Sequence, residues 1–209
     1  MESEQRLAKK LLQIKAVKLQ PQTPFTWASG WKSPIYCDNR ISLSHPSVRD
    51  YIKSELSAIV FEEFPEAEVI AGVATAGIPH GALVADLLKM PFIYVRSKAK
   101  EHGRQNQIEG ELKDGQKVLV IEDLISTGKS SMEAIHALRD AGAQIEGLCS
   151  IFTYGFEKAK TLFEKESITV RSLSNYEALL TSALEQKLIE ANEMEVLQTW
   201  RENPAEWNA

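Results

Sequence analysis

An α/β fold, a mostly parallel sheet flanked by helices with a small N-terminal hood, is predicted by three features of the sequence. Short β-branched runs at residues 69–73, 92–96, 117–121, 147–153 and 168–171 are apolar at successive positions, as strands covered on both faces must be. Helical segments at 81–89, 129–141 and 157–165 separate them, the alternation that builds a parallel sheet with helical cover. Residues 20–46 follow neither pattern and form the hood.

The elements follow in order. Leu7, Leu11, Ile14 and Val17 recur at intervals of three and four, the period of an amphipathic helix over 3–17. In the hood, Pro21, Pro24, Gly30 and Pro34 stand among Trp27, Trp31 and Tyr36, a composition of short irregular strands and turns. Val48, Ile52, Leu56 and Ile59 mark one face of a helix over 47–64. After the last strand, 175–202 is charged and amphipathic, and packs either on the core or on the N-terminal segment. The 209 residues fit one domain of roughly 100–200 residues plus an appendage. The single domain 1–209 divides into an N-terminal helix and hood (1–65), an α/β core (66–174) and a C-terminal helical region (175–209).

Composition excludes several classes of function. Lys and Arg number 24 against 29 Asp and Glu, a net charge of −5, so diffuse attraction to nucleic acid or anionic membrane does not organise the surface. Any anion site must be local. The most membrane-like stretch, 69–88, is interrupted by Gly72, Gly77, Pro79, His80, Gly81 and Asp86, and reads as strand, turn and helix. Residues 1–10 carry Glu2, Glu4 and Arg6 without the apolar core of a secretory signal. Cys37 and Cys149 lie 112 positions apart in no metal-ligand spacing and read as reduced thiols, so a cytoplasmic location is expected.

One connection breaks the alternation. Residues 97–116 hold too few apolar positions for a crossover helix, and loops of that length are usually functional or disordered. Within 96–104, Arg96, Lys98, Lys100 and Arg104 face a lone Glu101, a local charge of +3. The segment reads either as a solvated charged hairpin or as a mobile lid for an anionic ligand.

In parallel sheets, ligands collect at the carboxyl ends of the strands, which directs attention to 118–131, VLVIEDLISTGKSS. An apolar run delivers two adjacent acids, Glu122 and Asp123, to the sheet edge, and a hydroxyl- and glycine-containing turn then opens a helix. Acids there bind sugar hydroxyls or a hydrated cation. The turn binds phosphate, because the first N–H groups of a helix are unpaired and carry roughly +0.5 elementary charge. Ser126, Thr127, Ser130 and Ser131 add donors, and Gly128 permits close backbone approach. A triphosphate-binding P-loop would need glycine five positions before Gly128, where Asp123 stands. The plainer alternative is that Glu122 and Asp123 merely cap the following helix.

VLVIEDLISTGKSS resembles the phosphoribosyl-pyrophosphate signature of the type I phosphoribosyltransferases: four apolar residues, two acids, two variable residues and a Thr-Gly phosphate loop. FTWASGWKSPIYCDNR at 25–40 and VRSKAKEHG at 95–103 resemble the orotate branch of that family. The resemblance implies a type I phosphoribosyltransferase-like core that transfers a phosphoribosyl group from 5-phosphoribosyl 1-diphosphate to orotate, in pyrimidine synthesis.

The resemblance also implies roles. Glu122 and Asp123 would hold the ribose 2′ and 3′ hydroxyls, with Leu124 and Ile125 completing the segment; Thr127, Gly128, Lys129 and Ser130 would bind the 5′-phosphate, and Ser126 would face orotate. Residues 74–77 resemble the loop beside the pyrophosphate. Arg96, Lys100 and His102 match the basic groups that engage it, so Lys100, His102 and Asp123 are the expected catalytic residues. Mg2+ is the implied cofactor, held mainly by substrate oxygens with no firm protein ligand. A homodimer that shares its sites between subunits is implied. No nucleic-acid or membrane partner is expected, and a noncatalytic nucleic-acid-binding regulator of this fold would need a basic surface or an added module.

Other residues take plainer readings. His45, His80 and His136 are expected at helix ends or on the surface, and Trp27 and Trp31 in hood packing rather than a base pocket. Lys32 is either a solvated turn charge or a neighbour of substrate, and Lys129 acts through its backbone with its side chain in solvent. Some family members carry lysine in place of Ala76 and a second base in place of Ser97, for which Lys98 is a substitute. Others present arginine to the base where Thr153, Tyr154 and Gly155 stand here, which leaves backbone groups for that task.

Overall fold

The structure is a computed structural model that describes residues 2–27, 30–97 and 107–207. The chain forms two compact units, Met1–Val48 with Ser174–Ala209, and Arg49–Leu173.

In the first unit, helix α1 (Glu2–Gln13) buries Leu7, Ala8, Leu11 and Leu12, the stripe its periodicity marks out. The helix ends four residues before the expected 17, because Val17 starts strand β1 (Val17–Leu19). Three further short strands follow: β2 (Phe25–Thr26), β3 (Lys32–Ser33) and β4 (Ile35–Cys37). β1 pairs with β4 and β2 with β3, both antiparallel. The C-terminal region is two helices, α6 (Tyr176–Glu185) and α7 (Met194–Glu202), with a 3₁₀ turn at Ala191–Glu193. Lys187, at φ 56°, takes the chain out of α6.

These helices pack on the N-terminal segment. Ser174 Oγ donates to Glu4 O at 2.9 Å and Ser182 Oγ to Gln5 O at 3.3 Å. Trp200 is fully buried; its Nε1 donates to Lys32 O at 3.0 Å and its ring meets Trp27 edge-on. Trp27 stacks on Trp31 and donates from Nε1 to Ile35 O at 3.1 Å, so both hood tryptophans serve packing. Lys32 Nζ is exposed and donates to Thr26 Oγ1 at 3.0 Å, a turn charge.

The second unit continues helix α2 (Pro46–Glu63) and contains strand β5 (Val69–Val73), helix α3 (Gly77–Leu88), strands β6 (Phe92–Val95), β7 (Ile108–Glu109) and β8 (Lys117–Ile125), helix α4 (Lys129–Asp140), strand β9 (Gln144–Thr153) and helix α5 (Glu157–Lys165). Strand β10 (Val170–Asn175) closes a six-stranded sheet in the order β10-β9-β8-β5-β6-β7. β5 pairs in parallel with β6 and β8, and β8 in parallel with β9. β7 is antiparallel to β6 and is formed by two residues of the segment expected to be a loop, too short for any periodicity to announce. β8 also exceeds the expected 117–121: Glu122, Leu124 and Ile125 stay paired with Ser150, Phe152 and Thr153, because β9 offers a partner beyond the point where the sequence turns acidic.

Alternation divides the sheet's side chains. Val69, Ala71 and Val73 of β5 and Val118 and Val120 of β8 share one buried cluster with Met132, Ile135 and Leu138 of α4 and Phe163 of α5. α3 packs against β5 and β8 at glycine contacts: a Cβ on Gly72 would lie 2.9 Å from Ile78 Cα, and one on Gly77 would lie 2.5 Å from Ile121 O. α3 begins four residues before the expected 81, at that contact.

His80 corrects an expectation. It does lie in the first turn of α3, a helix end, but it is not on the surface: it is 2% exposed, with no hydrogen-bond partner for Nε2. Burial drives its pKa down to about 4. His45 does end a helix, the 3₁₀ turn Asn39–Ser44, and the His136 side chain is exposed, 3.7 Å from Glu166. Cys37 and Cys149 form no disulfide, and burial pushes the Cys149 thiol up to about 12.

Two tests follow from the packing. Gly77→Ala should lower the melting temperature by roughly 3–10 °C, since the added methyl meets a backbone carbonyl that cannot yield without shifting β8. A thermal melt within a degree of the parent would show that α3 does not approach the sheet so closely. The neutral His80 is favoured by folding, so its contribution is complete above the unfolded value of 6.5 and is lost as pH falls toward 4, a difference of about 3 kcal/mol. Between pH 7 and 4, His80→Leu should therefore lose less stability than the parent, measured by denaturant unfolding; parallel losses would contradict the burial.

Candidate functional site

Parallel pairing brings the carboxyl ends of β5, β6 and β8 to one edge. Val73 lies opposite Val95, and Gly72 lies opposite both Tyr94 and Ile121. From β5 the chain crosses to β6 on one side, whereas β8 leads to β9 on the other, so the crevice between β5 and β8 is the topological switch point. Three segments follow those strand ends: 74–76 after β5, where the Ala74–Thr75 peptide is cis; 96–97, the start of the longer connection after β6; and 126–128 after β8. Ala74, Arg96, Ser97 and Ser130 border one small cleft.

The turn after β8 is the expected phosphate loop. Gly128 caps α4 in the left-handed conformation at φ +76°, and a Cβ there would also meet the Phe163 ring at 2.9 Å, so glycine is required on both counts. No side chain caps α4, which leaves its first amides to a ligand's oxygens, beside the hydroxyls of Ser126, Thr127 and Ser130. Lys129 contributes only its backbone there: its side chain is 82% exposed and lies 3.8 Å from Glu133.

The capping role considered for the acids is not what the structure contains. Glu122 is 4% exposed; its Oε2 accepts a hydrogen bond from Ser131 Oγ at 3.1 Å and its Oε1 accepts one from the Asp123 N–H at 2.9 Å. Burial first, then the Asp123 charge and a hydrogen bond between the two side chains, hold the Glu122 carboxyl well above the usual carboxylate range. A carboxyl shifted in this direction holds its proton more readily than a free one, and a protonated carboxyl offers both a donor and an acceptor.

The other expected residues are placed differently. Ile125 belongs to the core, and its carbonyl accepts from Tyr154 N at 3.0 Å; Leu124 is half-buried and pairs with Phe152. Arg96 is partly exposed and pairs with Glu109 of β7 at 3.5 Å, while its N–H donates to Gln107 O at 2.8 Å. Lys98, Lys100 and His102 lie outside the described residues. After β9, Thr153 Oγ1 accepts from Gly155 N at 3.1 Å, and Tyr154 is buried and stacked on Phe156.

Ser131, expected among the phosphate donors, is instead 1% exposed, and its hydroxyl is directed to Glu122. The signal was available: Ser131 shares a stripe with Ile135 and Leu138 at helical spacing, the buried side of α4. Among the described residues, no three His, Cys, Asp or Glu side chains gather as a metal-binding group, and no helix is long and apolar enough to cross a membrane.

A family model, the phosphoribosyl transferase domain, matches residues 45–183, and the chain belongs to that family. Within it, the chain is 55% identical to the orotate phosphoribosyltransferase of Phocaeicola vulgatus over 99% of its own length and 97% of the relative's. A solved orotate phosphoribosyltransferase from Aeropyrum pernix superposes with a TM-score of 0.76 at 29% identity, covering 88% of this chain and 99% of that one. The UMP synthase of Leishmania donovani superposes with a TM-score of 0.80 at 26% identity over 95% of this chain, which spans only 42% of that longer protein.

The acid pair has a measurable signature. Because the folded pKa of Glu122 lies above its ordinary value of 4.5, the associated stability is complete below that value and is lost as pH rises through the higher one. Glutamine cannot ionise, so the melting temperature of Glu122→Gln relative to the parent should climb between pH 4.5 and 8. A difference constant across that interval would mean that Glu122 is not held protonated.

Proposed function

We propose that this chain is an orotate phosphoribosyltransferase: it transfers the 5-phosphoribosyl group from 5-phosphoribosyl 1-diphosphate to orotate, giving orotidine 5′-phosphate and pyrophosphate in pyrimidine biosynthesis. The observation that carries the reading is the acid pair Glu122 and Asp123, set beside the uncapped glycine turn at the switch-point crevice. A sugar carrying both a vicinal diol and a 5′-phosphate matches those neighbours in one ligand.

In this reading the bond from C1 of ribose to the diphosphate oxygen breaks as a bond to the orotate ring nitrogen forms. Positive charge develops on the ribose and negative charge on the leaving oxygens, as in glycoside chemistry. Glu122 and Asp123 hold the 2′ and 3′ hydroxyls, while the backbone and hydroxyls of Thr127, Gly128, Lys129 and Ser130 hold the 5′-phosphate, with Ser126 toward orotate. Residues 74–77 lie beside the diphosphate. Arg96, Lys100 and His102 meet it with positive charge, so that Lys100, His102 and Asp123 are the catalytic residues. In this reading Mg2+ would enter as part of the substrate, with no dedicated protein ligand. Mg2+ carried in this way would supply neutralisation of charge on the leaving group. The protein acts as a homodimer with sites shared between subunits, in the cytoplasm, without nucleic-acid or membrane partners.

The substrate assignment is tested by product formation from 5-phosphoribosyl 1-diphosphate with orotate, uracil or purine bases; preferred turnover of any base but orotate overturns it. Lys100→Ala and Asp123→Asn should each lower kcat by ~10²–10³, the usual loss for one preorganised electrostatic contact, without lowering the melting temperature by more than a few degrees. Mixing the two inactive variants should recover activity, because one site of each hybrid is intact. No recovery after demonstrated subunit exchange would rule out shared sites.

A further inference from the structure

Among the groups at the carboxyl edge, the Ser131 hydroxyl has no role in the reaction as described. It is too deeply buried to meet a phosphate, yet it sits in the first turn of α4, one residue after Ser130 of the anion-binding turn, and reaches back to the acid at the end of β8. We infer that Ser131 is a positioning residue for the sugar diol, acting through Glu122: its hydrogen bond ties the acid pair to the helix whose N-terminus holds the phosphate. The inference rests on the reading of Glu122 and Asp123 as the diol site.

The geometry supports this in three ways. A glutamate side chain has three rotatable bonds and needs more than burial to select one arrangement; here Oε2 is fixed by Ser131 at 3.1 Å and Oε1 by the Asp123 N–H at 2.9 Å. Without Ser131 the anchors that are left, the Asp123 N–H and the Asp123 side chain, both come from the next residue along the strand rather than from α4. The bond joins two elements, β8 and α4, that carry the two halves of the proposed ligand site, so the separation between diol and phosphate contacts is set by a direct contact rather than by the intervening turn alone. Finally, serine at a position of α4's buried stripe otherwise occupied by Ile135 and Leu138 costs apolar packing, and the hydrogen bond to Glu122 accounts for it.

The test separates a positioning role from a structural one. Binding of ribose 5-phosphate, 2-deoxyribose 5-phosphate and inorganic phosphate is measured by calorimetry on the full chain and on Ser131→Ala, Ser131→Thr and Ser131→Cys. The parent should prefer ribose 5-phosphate to its 2-deoxy analogue. Ser131→Ala should weaken ribose 5-phosphate about tenfold, leave the deoxy sugar and phosphate within about twofold, and so abolish the preference. Ser131→Thr, which keeps the hydroxyl, should restore it; if threonine is too large for the fold, Ser131→Cys, a weaker donor, should give an intermediate preference. Equal weakening of all three ligands would mean general distortion and would overturn the inference, as would a preference that survives in Ser131→Ala. A parent protein with no preference between the two sugars would instead bring down the diol reading, and the inference with it.

Discussion

The parallel pairing of β8 with β5 on one side and β9 on the other is the constraint on which the site depends. Parallel strands send all their carboxyl ends to one edge, and the chain leaves β5 and β8 in opposite directions, which opens a crevice between them. Because β9 keeps β8 in register as far as Ile125, the two acids remain on an ordered strand and the turn that follows starts from a fixed point. The glycines on α3 have the same origin: Gly77 lets that helix begin against the Ile121 carbonyl, at the strand position just before the acids.

Electrostatics at this edge combine opposites. An uncapped helix N-terminus favours anions, and two carboxyl groups lie a few residues away in a protein whose net charge is −5. Full ionisation of both acids would repel the same phosphate the turn attracts. Burial of Glu122 against α4 eases the conflict, because it shifts that carboxyl toward its protonated form. Arg96 shows the complementary arrangement, a cation at the mouth of the cleft already balanced by Glu109.

The first unit is held by aromatic contacts instead. Trp200, from the far end of the chain, donates to the carbonyl of Lys32 and meets Trp27, which in turn stacks on Trp31. Contacts of this kind order a hood whose strands, two or three residues each, are too short to be stable alone.

Sequence alone determined the alternation of strands and helices, the position of the acidic phosphate-turn segment and the need for glycine at position 128, because hydrophobic period, adjacent charge and turn chemistry are local properties. It also marked α5 to the residue and β5 likewise. Only the tertiary structure decided that β8 continues through the acids, that β7 joins the sheet, that His80 is buried and that the Ser131 hydroxyl serves Glu122 rather than a ligand. Each of these turns on a partner distant in the chain: Phe152 for Leu124, Tyr94 for Glu109, the packed interior around α3, and a serine nine residues beyond the acid it holds. No local pattern encodes such a partner, since pairing and burial exist only once separate elements have come together.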